Sequence, residues 1–221
     1  MNQSIGIVGG GQLGRMLTYE AQKLGFFVTI LDPTPGSPAG QVADRQIVAD
    51  FKDADAIRSL ASQVDFLTFE IELANAGILE ELATAGVTVN PSATTLSIIQ
   101  DKLRQKQFLR DHGVPVPPFF AIKTRRDIEA AARQYGYPLL IKARFDGYDG
   151  RGNAILRSDE GINVVLARLA SRELYGEAFI RFEKELAVVV ARSEAGDIRN
   201  YPVVETVHHH NICHTVFAPA P

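Results

Sequence analysis

The sequence predicts an α/β protein in two parts: a parallel sheet covered by helices, then an α+β domain of helix, strand and hairpin. Strand-like and helix-like segments alternate up to Pro91, and a glycine-rich turn, VGGGQLGR, follows the first strand directly. Beyond Pro91 come a charged helix, a proline-rich linker and strands that turn back on themselves. Regular alternation implies parallel strands, because a parallel pair needs a crossover that a helix supplies.

Each element follows from apolar period and punctuation. SIGIVG (4–9) is a short strand stopped by glycine, and 12–25 is an amphipathic helix carrying Leu13, Leu17 and Leu24. FFVTILD (26–32) is a β-branched and aromatic strand, and PTPGSPAGQ (33–41) is a loop. A helix over 53–62 leads into the strand VDFLTFE (64–70); a helix over 74–86 leads into VTVN (87–90). In the second part, 101–112 is a charged helix ended by Gly113, and VPVPP (114–118) cannot be helical. Thr124 caps a helix over 124–135, with Asp127 three residues later. YPLLIKA (137–143) is a strand and NAILR (153–157) its return, and Ser158 caps a helix over 158–170. ELAVVVARS (185–193) reads as a strand, and 201–217 as one or two more. The boundary falls near 91–101, giving domains 1–98 and 99–221.

Composition narrows the function classes. The chain has 221 residues, 23 Lys plus Arg against 26 Asp plus Glu, and a net charge of −3, which gives no reason to expect nucleic acid or an anionic membrane. Its single cysteine, Cys213, excludes an intrachain disulfide and fits a reducing cytoplasm. SIGIVG is too short for a signal peptide, and no apolar stretch has the roughly 18 residues of a membrane span.

Gly9-x-Gly11-x-x-Gly14 after the first strand, with Asp32 at the end of the second, has the layout of a dinucleotide fingerprint. NAD binding with Asp32 on a ribose hydroxyl is one reading. Another is that such turns favour glycine for steric reasons alone, with a different ligand in the crevice. Lys142 stands where a strand ends, followed by Asp146, Gly147, Tyr148, Asp149, Gly150, Arg151 and Gly152. Glycines let backbone amides approach an anion, and lysine and arginine suit phosphate. The pattern reads as a flap over phosphate between antiparallel strands. It is not a Walker loop, because the lysine precedes the glycines.

GIVGGGQLGRM, TFEIE (68–72), QDKLRQKQFL (100–109), GVPVPPF, IKARFDGYDGRGN, FEKELAVVVAR and ICHTVFAPAP together resemble the ATP-grasp family. Within it they resemble the N5-carboxyaminoimidazole ribonucleotide synthetases of purine biosynthesis. The resemblance implies a Rossmann-like pre-ATP-grasp domain followed by an incomplete ATP-grasp domain. The implied reaction uses ATP and Mg²⁺ to activate bicarbonate as carboxyphosphate and carboxylates aminoimidazole ribonucleotide. By the same resemblance Lys102 and Lys142 lie along the ATP phosphates, Gly147 to Asn153 form the flap, Glu185 is near the ribose and His208 near the nucleotide. Gly11, Gln12, Leu13 and Glu72 would border the aminoimidazole ribonucleotide, with Tyr148 and Arg151 reaching it from the flap. A homodimer is implied too, through segments this chain holds only in part.

Two departures stand out. AFI (178–180) joins FEKEL (182–186) through Arg181, where the family carries several more residues with an acidic hinge for the adenine. The family also continues for more than a hundred residues past Pro221, into the Mg²⁺ carboxylates, so the expectation is no metal ligand within this chain and little activity from it alone. A non-catalytic nucleotide-binding module is the alternative. His208, His209, His210, His214 and Cys213 invite a zinc site, but alternation puts His208 and His210 on one strand face and Cys213 elsewhere. One histidine beside the nucleotide and a buried cysteine is the preferred reading. Glu70 and Glu72 alternate at a strand end and are not expected to act as an acid/base pair.

Overall fold

Ser4–Val8 (β1) sits at the centre of a five-stranded sheet of order β3-β2-β1-β4-β5, with β2 Phe27–Leu31, β3 Arg45–Ile47, β4 Phe66–Phe69 and β5 Thr88–Val89. Every pairing in it is parallel. The computed structural model describes residues 3–147, 152–209 and 212–221. The pleat sends Ile7 to one core, with Val28, Ile30 and Ala39, and Val8 to the other, with Leu31, Leu60, Leu67 and Leu79. Burial on both faces is why these strands read as continuous apolar runs. The helices are α1 Gln12–Lys23, α2 Ala54–Ala61, α3 Ala76–Thr84, α4 Ala93–Gln100 and α5 Lys102–Asp111. Asp53, Asn75, Ser92 and Asp101 cap the last four, each accepting from first-turn amides.

The first compact unit runs Met1–Val114 and the second Pro115–Pro221, so α5 belongs to the first. In the second unit β6 Phe119–Ile122, β9 Leu174–Ala178, β7 Leu139–Ala143 and β8 Asn153–Leu156 form an antiparallel sheet in that order. Ile128 of α6 (Arg125–Tyr135) and Ile162 and Val165 of α7 (Ile162–Arg168) bury against Leu139, Ile141, Leu156 and Leu174. Thr124 and Asp127 form the capping box that starts α6. Gly176 lets β9 pass Phe120, whose ring would lie 2.2 Å from an added Cβ.

Several elements differ from the sequence reading. β3 falls between the loop 33–41 and the helix expected over 53–62, in a stretch to which the sequence reading gives no element, because its three residues carry one apolar side chain. α4, rich in β-branched residues, and the short β6 and β9 carry no periodic signal of their own. Ser158 leads into a 3₁₀ turn, Asp159–Gly161, before α7. ELAVVVARS is not one strand. It divides into β10 Glu185–Ala187 and β11 Val190–Arg192, which join different sheets: β10-β13-β14, with β13 Val204–His209 and β14 Ile212–Phe217, and β11-β12, with β12 Ile198–Asn200. None of the described residues from 179 to 221 is buried, although Phe182, Leu186, Val189, Tyr201, Ile212 and Phe217 are among them. Among the described residues no helix is long and apolar enough to cross a membrane.

Candidate functional site

The front glycine turn is already filled. Gly9 has φ +105°, which only glycine adopts without strain, and its N–H donates to Leu31 O at 2.9 Å. The Gly10 N–H donates to Asp32 Oδ2 at 2.8 Å, and Thr34 N–H donates to Oδ1 at 2.8 Å. Asp32 is 6 % exposed with both oxygens engaged inside the fold, which removes the reading that placed it on a ribose. Gly11 N–H, at the N-cap of α1, donates to Glu70 Oε1 at 2.9 Å. A Cβ on Gly9 would lie 2.7 Å from Glu70 Cγ, and one on Gly11 2.8 Å from Glu70 Oε1. The spacing that resembles a pyrophosphate cradle is therefore shaped around an internal carboxylate, and the NAD reading loses its anion site.

Of the neighbouring residues singled out in the sequence, Gln12 and Leu13 are exposed at the start of α1. Glu72 is exposed beyond the end of β4, and its backbone carbonyl accepts from Gln100 Nε2 at 2.7 Å. Glu70 is the residue sequence reasoning missed, since a contact spanning 59 positions leaves no local signal.

In the second unit Lys142 lies on β7 opposite Asn153 of β8 and Tyr175 of β9. Its Nζ is 3.7 Å from Glu177 Oε1 and 5.7 Å from the centre of the Tyr175 ring. Glu177 is 5 % exposed and Tyr175 1 %. A half-buried cation therefore stands between a buried carboxylate and an aromatic face. Ala143 N–H donates to Gly152 O at 2.8 Å, which closes the base of the glycine loop. The antiparallel pairing of β7 with β8 agrees with a flap between such strands. Gly147 is exposed, Gly152 buried and Asn153 half-buried. Tyr148, Asp149, Gly150 and Arg151 lie outside the described residues. Lys102 is half-buried at the first position of α5, whose N-cap Asp101 accepts from Leu103 and Arg104 N–H.

Glu185 on β10 and His208 on the adjacent β13 meet, with Oε2 and Nδ1 3.0 Å apart. His210 lies outside the described residues. Cys213 is exposed rather than buried, as is most of β14, since none of the described residues from 179 to 221 is buried. Among the described residues no group of three His, Cys, Asp or Glu side chains could hold a metal ion.

Comparison with known proteins gives two family matches: a "Ribonucleotide synthetase preATP-grasp domain" over residues 1–100 and an "ATP-grasp domain" over residues 107–221. The phosphoribosylaminoimidazole carboxylase of Ogataea methanolica is 42% identical over 99% of this chain and 41% of its own length. The N5-carboxyaminoimidazole ribonucleotide synthase of Bacillus subtilis is 34% identical over 98% of this chain and 57% of its own. The chain thus spans about half the length of the curated relatives it matches. A Staphylococcus aureus N5-carboxyaminoimidazole synthetase complexed with ADP superposes with TM-score 0.94 at 32% identity, over 99% of this chain and 58% of that one. An Aspergillus clavatus N5-carboxyaminoimidazole synthase in complex with ADP and 5-aminoimidazole ribonucleotide superposes with TM-score 0.91 at 37% identity, over 100% and 57%.

The Bacillus match runs 216 residues over 98% of the 221-residue chain and the Ogataea match 223 residues over 99% of it, so the relatives differ among themselves in length across the matched span. Glu177, the penultimate residue of β9, precedes the short joint at Arg181, and Lys142 of β7 lies beside it.

Proposed function

Because the chain belongs to the ATP-grasp family, we propose that it forms the ATP-holding and substrate-holding part of a ligase that carboxylates 5-aminoimidazole ribonucleotide with bicarbonate. In that reaction bicarbonate oxygen attacks the γ-phosphorus of ATP, giving carboxyphosphate and ADP. The exocyclic amine then attacks the carboxyl carbon, phosphate leaves, and the amine gives up a proton. The observation that carries the reading is Lys142: a cation held at the foot of a glycine loop between antiparallel strands, with Glu177 and Tyr175 fixing it from below.

Phosphoryl transfer needs positioned cations and exclusion of water more than covalent chemistry from the protein. Lys142 meets the phosphates, and Lys102 is a further phosphate contact. The loop from Gly147 to Asn153 covers them and keeps carboxyphosphate from water. The Glu185–His208 pair faces the nucleoside. Gly11, Gln12, Leu13 and Glu72 border the aminoimidazole ribonucleotide, with Tyr148 and Arg151 of the flap as further contacts. The described residues provide no ligand cluster for Mg²⁺. In this reading its carboxylates come from polypeptide outside them, and the same polypeptide covers the exposed apolar side chains of β10–β14.

Calorimetric titration of the 221-residue chain with ATP tests the proposal. We expect saturable binding that Lys142→Met weakens by roughly 10- to 100-fold, the value of a charge-assisted bond. We also expect phosphate release that aminoimidazole ribonucleotide does not stimulate. Absence of ATP binding would remove the proposal, whereas stimulated turnover by this chain alone would overturn its dependence on further polypeptide.

A further inference from the structure

The second unit holds a hollow of about 500 Å³ that the proposed reaction leaves unused. It lies where β6, β9 and β7 end side by side, and the turn after α7 forms one wall. Leu169 and Leu174 give it a buried apolar floor, and four cations line it: Lys123, Arg125, Arg144 and Arg172. Leu174 packs with Ile141 in the core under α6 and α7, so alternation turns Lys142 and Tyr175 to the opposite face of the sheet. Two of the cations are already paired. Arg144 Nη1 lies 2.6 Å from Glu173 Oε2, and Arg125 Nε lies 2.7 Å from Glu129 Oε1. Among the described residues Lys123 and Arg172 have no carboxylate at such a distance. Asp127 comes near Lys123 but accepts from the Lys123 and Thr124 backbone N–H groups, at 2.8 and 2.7 Å. The start of α6 stands in the same wall and adds the positive end of its dipole. The opposing carbonyls at the end of α7 are engaged, since Val165, Ala167 and Leu169 O accept from Leu169, Ala170 and Arg172 N–H. The turn that brings Arg172 to the hollow puts Ser171 at φ +65°, a strain that glycine would have avoided.

We propose that this hollow is a second anion site, which takes the phosphate group of a small sugar phosphate between Lys123 and Arg172. Arg172 meets the phosphate through two parallel N–H groups and Lys123 as a point charge. A free phosphate ion would leave most of the 500 Å³ empty, whereas a sugar phosphate lays its carbon skeleton over Leu169 and Leu174. Glu173, on the same wall, offers carboxylate oxygen to the sugar hydroxyls. The site shares neither Lys142 nor Glu177 with the ATP site proposed above and stands independently of it.

The test is a titration of the 221-residue chain with ribose 5-phosphate and, separately, with inorganic phosphate, reading the ¹H–¹⁵N shifts of the Lys123, Thr124, Ser171 and Arg172 amides. We expect both to saturate, the sugar phosphate at least roughly threefold tighter. Arg172→Met and Lys123→Met should each weaken binding by roughly tenfold or more and leave ATP affinity unchanged. Should Arg172→Met fail to fold, Lys123→Met, at an exposed side chain, decides alone. Arg172 Nη1 lies 3.4 Å from the place of a Cβ on Gly152, so phosphate bound under the glycine loop would shift Arg172 too. Lys142→Met separates the two cases: a response that disappears with Lys142 overturns the proposal. No saturation with either probe overturns it as well, and so does saturation that the Lys123 and Arg172 variants leave unchanged. Equal affinity for the two probes strikes the sugar from the proposal and leaves free phosphate as the ligand. Failure of ATP to bind would sink the proposed function and leave this result standing.

Discussion

The chain contains two glycine loops that look alike in sequence and differ in what stands beside them, a carboxylate at the first and a lysine at the second. In the front loop Gly9, Gly11 and Gly14 press on Glu70 and on the loop's own backbone, with added Cβ atoms falling 2.7, 2.8 and 2.7 Å from their nearest neighbours. In the second, Gly147 is open, its nearest neighbour 3.9 Å away, and a lysine stands at the loop's foot. A glycine pattern records where the backbone needs room. What stands beside that room depends on residues far away in sequence, as Glu70 does for Gly11 across 59 positions.

The largest effect expected from this contrast is on stability. Gly9→Ala forces an L-residue into φ +105° and drives its Cβ into Glu70 Cγ at 2.7 Å. Left-handed strain costs about 1–2 kcal/mol and overpacking about 1–3 kcal/mol, so thermal unfolding should come several degrees earlier. Adding Glu70→Ala should recover the overpacking part and leave the strain. Gly147→Ala, with open space and no left-handed φ, should stay within about 0.5 kcal/mol of the parent. Equal losses at the two positions would break the distinction between a packed joint and an open flap.

A smaller effect tests what holds Lys142. With Nζ 3.7 Å from Glu177 Oε1 and side chains 25% and 7% exposed, the pair is mostly desolvated. Removing only the cation by Lys142→Met takes one interaction from a buried carboxylate, which should cost about 1–3 kcal/mol. Glu177→Gln in that background should restore part of the loss, and a double-mutant cycle by chemical denaturation measures how much. Simple additivity would show that the two side chains are neighbours without being partners, and the placing of Lys142 by Glu177 would then have no energetic basis.

Legibility followed the range of the interaction. The parallel sheet, α1, α2, α3 and the α6 capping box all showed in the sequence because apolar period and local caps lie within a few residues of one another. The division of ELAVVVARS between two sheets did not, since Val188 and Val189 have the same β propensity as their neighbours and only pairing decides where a strand breaks. At the sites the same rule holds. Lys142 and its loop could be read because cation and glycines are contiguous. Glu70 could not, because it reaches Gly11 across 59 residues, and Glu177 could not, because its partner lies 35 positions back on another strand. The family motif supplied Glu185 and His208, and the structure adds that they meet.

Two helix ends carry the comparison to its finest scale. The N-cap amide of α1, at Gly11, donates to a carboxylate just past the distant strand β4, whereas the two amides that lead into α6, at Lys123 and Thr124, donate to Asp127 of that helix's own first turn. Asp127 Oδ2 accepts from Lys123 N–H at 2.8 Å and Thr124 N–H at 2.7 Å, and these bonds hold its carboxyl below the usual carboxylate value. A carboxyl depressed in the folded state contributes stability that is fully present above its unfolded pKa, about 3.9, and is lost as pH falls through the folded value. Asp127→Asn keeps an acceptor and loses the charge. Its unfolding temperature should therefore sit slightly below the parent's from neutral pH down to about 5, and the gap should close on acidification below about 4. Protonating the parent produces in effect what the substitution does. Thermal scans across that range decide the point: a gap that persists at the acid end would mean that Asn fails as an acceptor, and that geometry rather than charge makes the α6 cap.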